Sequence, residues 1–86
     1  MANIDEVRAG IGQANQKASE SLGALRQAKL SIQEARSMLD QAVEGSTQAD
    51  VDEARAYYAD AAEKVDDVEK AVYAATQASD EIATRL

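Results

Sequence analysis

Apolar and small residues recur along this chain at intervals of seven. From Ile4 the step passes through Ile11, Ala18, Leu25, Ile32 and Leu39, and from Val7 through Ala14, Ser21, Ala28, Ala35 and Ala42. Beyond a short break the pattern resumes as Val51, Tyr58, Val65, Val72, Ser79 and Leu86, with Ala54, Ala61, Val68, Ala75 and Ile82 in the alternate slots. A period of about 3.5 residues kept up this long predicts two helices that meet along a coiled-coil seam. Carboxylates such as Glu20, Glu34, Asp60, Asp67 and Glu81 fall on positions turned away from that seam, as a solvated face requires.

The break is short. Between the two runs stands Val43-Glu44-Gly45-Ser46-Thr47-Gln48-Ala49-Asp50, and Gly45 suits the left-handed residue that closes a helix. Asn3 with Glu6 three residues on predicts an N-terminal cap for the first helix, and Thr47 with Asp50 does the same for the second. The expected layout is one domain over residues 1–86: a helix over about 4–43, a turn at about 44–47 formed by Gly45, Ser46, Thr47 and Asp50, and a helix over about 48–85. Helices of this length reach about 60 Å, and so short a connection makes them antiparallel. Facing residues then share a constant sum, and a value near 93 sets Leu39 against Ala54, Ile32 against Ala61, Leu25 against Val68 and Ile11 against Ile82. Large residues mostly meet small ones there. The fold class expected is all-α, an antiparallel two-helix hairpin.

An 86-residue chain has little interior, and the seam supplies only a narrow one. Leu22, Leu30, Met38, Tyr57 and Tyr73 lie beside or outside it and widen the apolar stripe, as a helix in a bundle needs. They are the candidate interface residues. Self-association of the hairpin into a dimeric four-helix bundle is the first expectation, with an unlike protein partner and then a monomer as the alternatives.

Composition narrows the chemistry. The chain has no Cys, His, Trp, Phe or Pro, so thiolate and imidazole chemistry are absent, and no cofactor or metal is expected. The acidic cluster Asp60, Glu63, Asp66, Asp67 and Glu69 lacks the spacing of a calcium loop. The Gly10-Ile11-Gly12 segment starts a dinucleotide fingerprint without its third glycine or its preceding strand. A non-enzymatic role follows. The net charge of -7 repels nucleic acid and anionic lipid. It is unevenly spread: residues 1–45 carry six acidic and five basic side chains, residues 46–86 ten and four. With neither a signal-peptide pattern nor a long apolar run, a cytoplasmic protein without membrane contact is expected, leaderless export remaining open.

Two helices of similar length with a glycine at the bend resemble the WXG-type hairpin proteins of type VII secretion systems. The resemblance is one of architecture. Val43-Glu44-Gly45 keeps the glycine of the family's Trp-x-Gly bend without its tryptophan, and Tyr57, Tyr58 and Tyr73 are followed four residues on by Ala61, Ala62 and Gln77, not by the acidic residue of the export signal. Ile4-Asp5-Glu6-Val7-Arg8-Ala9-Gly10-Ile11 and Ala42-Val43-Glu44-Gly45-Ser46 are also similar to short Ala-rich helical proteins of actinobacteria, related segments of which head some polymorphic toxins. Either resemblance implies an adaptor linked to a secretion or toxin system. The alternative is a structural coiled-coil subunit or spacer of a larger assembly.

Overall fold

The computed structural model describes residues 3–45 and 48–86. Helix α1 spans Ile4–Ala42 and helix α2 spans Ala49–Arg85. They lie antiparallel in a rod of 64 × 17 × 15 Å. Each is shorter by one residue at the bend than the sequence pattern suggests.

The start of α1 is closed by its own sequence. Asn3 is extended, and its Oδ1 accepts a hydrogen bond from the Glu6 amide at 2.8 Å, satisfying a donor with no partner inside the helix. Asp5 and Glu6 place negative charge on the first turn, where the helix dipole favours it. At the other end the Val43 amide donates to the Leu39 carbonyl at 3.0 Å. Gly45 then takes φ +83, which a side chain would strain.

The opening of α2 differs from expectation. The cap position is Gln48, whose side chain makes no capping bond, while its carbonyl accepts from the Val51 amide at 3.1 Å. Asp50 sits inside the first helical turn with Asp52 and acts there as charge on the dipole. Ser46 and Thr47 lie outside the described residues.

The seam itself is rotated from the predicted one. The row Ile11, Ala18, Leu25, Ile32 and Leu39 faces inward as expected, but its companion in the middle of α1 is Asn15, Leu22 and Lys29, one residue beyond Ala14, Ser21 and Ala28, which are exposed. In α2 the row Val51, Val65, Val72 and Ser79 is inward, with Ala62, Glu69, Thr76 and Ala83 beside it in place of the predicted Val68, Ala75 and Ile82. Leu22, expected outside the seam, is therefore one of the two buried apolar residues among the described residues, at 8% exposure, with Val51 at 9% near the bend.

The register moves with the seam. Cross-helix contacts join residues 15 with 80, 26 with 69, 29 with 66, and 40 with 55, and these pairs share one sum, two greater than 93. The physical reason is side-chain reach. Asn15, Lys29, Arg55 and Glu69 can lay their stems along the seam while their polar ends pair at its rim. An alanine row offers no such pairs.

Candidate interaction surface

The rotated seam leaves two unlike edges along the rod. On one, Asn15 donates to Asp80 at 2.6 Å, Arg26 to the Tyr73 hydroxyl at 2.7 Å, Lys29 to Asp66 at 2.7 Å, and Arg55 to Asp40. Arg26 also approaches Glu69 at 4.0 Å. Asp66, Tyr73 and Asp80 stand seven residues apart, as Arg26 and Asp40 stand fourteen apart, so each set occupies one row of its helix. Polar struts thus run along a single edge, from the bend to the open end.

The Lys29 ammonium is held above the ordinary lysine value of 10.5, first by its hydrogen bond to Asp66. Partial burial pulls the other way, and the charges of Asp66 and Glu69 add to the upward shift. Lys64 is raised likewise by its hydrogen bond to Asp60, within α2.

The opposite edge is apolar. It carries the exposed members of the displaced rows, Ala14, Ser21, Ala28 and Ala42 from α1 and Val68, Ala75 and Ile82 from α2, while Ala35, Ala54 and Ala61 of the same rows stay half-buried toward the bend. None of these residues is charged. Val68 is 47% exposed and Ile82 46%.

The candidate interface residues divide between these surfaces. Leu22 is not an outer contact, because it closes the hairpin's own seam. Tyr73 stands on the polar edge, where Arg26 holds its hydroxyl, and acts as a cross-helix strut. Leu30 is exposed on the flank of α1 toward that edge. Met38 and Tyr57, at 69% and 67% exposure, stand one row out from the apolar edge, and the Tyr57 hydroxyl donates to Glu53 at 3.2 Å. Of the turn residues, Gly45 shapes the bend and Asp50 belongs to α2.

Val68 and Ile82 are the outer apolar residues that sequence periodicity misplaces. Three carboxylates of the acidic cluster are paired with cations: Asp60 with Lys64, Asp66 with Lys29, and Glu69 with Arg26. Among the described residues, no group of three or more Asp or Glu side chains could hold a metal ion, and no helix is long and apolar enough to cross a membrane. No protein-family model, curated protein or solved structure matches this chain.

Proposed function

We propose that this chain is a non-enzymatic protein–protein interaction module, a hairpin that presents helical surface first to copies of itself and, as an adaptor, to a further protein. One observation carries the reading. Two long helices bury only Leu22 and Val51, while Leu30, Met38, Tyr57, Val68 and Ile82 remain exposed. A fold with so thin an interior gains most of its remaining apolar burial from association. Dimerisation into a four-helix bundle with coiled-coil packing is the form of association favoured.

The hairpin shape also fits the WXG-type resemblance, under which the further partner is a type VII-like secretion or toxin component. The 64 Å length supports a second reading, a spacer or subunit whose ends are joined in a larger assembly. Sedimentation equilibrium across a concentration series separates these. A saturable dimer supports the module, growth beyond a dimer supports the spacer, and a folded chain that stays monomeric at millimolar concentration removes self-association.

A further inference from the structure

We infer that the apolar edge is the contact between two copies of this chain, related by a two-fold axis along the rod, so that α1 of each copy lies over α2 of the other. The inference rests on the self-association proposed above and assigns its surface and arrangement.

Area is the first argument. A compact chain of 9.2 kDa exposes about 4,900 Å². This one exposes 6380 Å². Its long face, 64 Å by 17 Å, offers roughly 1,000 Å², against the ~800 Å² per partner of a standard stable interface. A second copy seated there removes more than half of the excess.

Charge is the second. Copies carrying -7 each repel wherever their acidic surfaces meet. The apolar rows hold no charge, and in the next row out on α2, which runs through Asp50, Tyr57, Lys64, Ala71, Ala78 and Arg85, the one carboxylate is Asp50 at the bend. Lys64 is engaged by Asp60 at 2.8 Å, and Lys17, on the corresponding row of α1, by Glu20 at 3.2 Å. Both acidic partners lie further from the edge, on the outer face of their helices. On the polar edge, by contrast, Asp40, Asp66 and Asp80 are already bonded to Arg55, Lys29 and Asn15 within the hairpin, and a second copy there would cover polar groups rather than apolar ones.

Shape is the third. In the observed register Ala28 shares a level with Val68, and Ala14 with Ile82, within one residue along the rod. Rotation about the long axis puts Ala28 of one copy over Val68 of the other, and Ala14 over Ile82, twice each by symmetry. Small meets large at both levels, and every neighbouring pair of helices is antiparallel. A two-fold axis across the rod would instead place the Ala and Ser row of α1 on itself and the row of Val68 and Ile82 on itself, small on small and large on large.

The test uses the full chain and three variants, Ala28→Glu, Val68→Lys and Gln33→Glu, the last being a control on the polar side of α1. Sedimentation equilibrium and circular dichroism are measured for each alone and for an equimolar mixture of the first two. The expected result is a wild-type dimer, an unaffected Gln33→Glu dimer, and dissociation constants raised about 30-fold or more for Ala28→Glu and Val68→Lys. Mixing those two restores the dimer, because one of its symmetric contacts becomes a charge pair while the other stays wild type. A variant that loses helicity alone regains it in the mixture. Dimerisation of the wild type with no loss in Ala28→Glu or Val68→Lys overturns this edge but leaves self-association standing. Loss in each without restoration on mixing overturns the α1-over-α2 arrangement, and a monomeric wild type overturns both the inference and the self-association beneath it.

Discussion

The two edges of the hairpin are built from neighbouring rows of the same helices and have opposite chemistry. Along one, Asn15, Arg26, Lys29 and Asp40 reach across to Asp80, Tyr73, Asp66 and Arg55. Along the other, alanines face outward beside Val68 and Ile82. The difference separates specificity from driving force. Partly exposed ion pairs add little stability, typically up to about 1 kcal/mol each, but a slipped register would break several together. The apolar edge sets no register within the hairpin, yet it holds the area that association can bury.

The largest test removes the seam on which both edges depend. Leu22→Asp should cost about 3 kcal/mol or more by placing a carboxylate in the most buried site, and the helical circular dichroism of the chain should collapse. A helical Leu22→Asp chain would mean that the seam is drawn through the wrong row. Next is the bend that aligns the edges. Gly45→Ala places a β-carbon at φ +83 and should lower stability by about 1 kcal/mol in urea titration, through strain alone, because space around the position is open.

Smaller effects distinguish the edges directly. Asp40→Asn weakens one strut, with an expected loss of less than about 1 kcal/mol that shrinks further in molar salt. Association through the uncharged edge should instead hold or tighten as salt screens the charge of each copy, so opposite salt responses of urea midpoint and dimer mass would confirm the division. The smallest effect is alkaline. Because the folded-state value of Lys29 is raised, its contribution is complete below 10.5 and is lost as pH rises through the higher folded value. Wild type should therefore lose more stability than Lys29→Met over that alkaline range, and equal losses would show that the strut contributes nothing.

Much of the architecture was legible in particular residues. Asn3 with Glu6 announced the start of α1, Gly45 the bend, and the absence of proline two uninterrupted helices. The seam was legible only to within one residue. Ala14 and Asn15, or Val68 and Glu69, differ by a 100° turn of the helix, and apolar periodicity favours the alanine and valine. It assigns no value to Asn15 pairing with Asp80, 65 residues away, because that pairing exists only once a register is chosen. The same error put Leu22 on the surface and hid Val68 and Ile82 inside.

Helix formation, capping and the bend depend on groups within a few positions of one another, and for that reason the sequence alone determined two antiparallel helices and their approximate ends. Which rows meet was decided by the tertiary structure. That choice is a small difference between two seams of similar apolar content, and the balance lies in contacts between side chains far apart along the chain. Long polar side chains reach partners at the rim where alanines cannot, and their pairing turns an apolar row outward, making an edge of what the sequence presents as core.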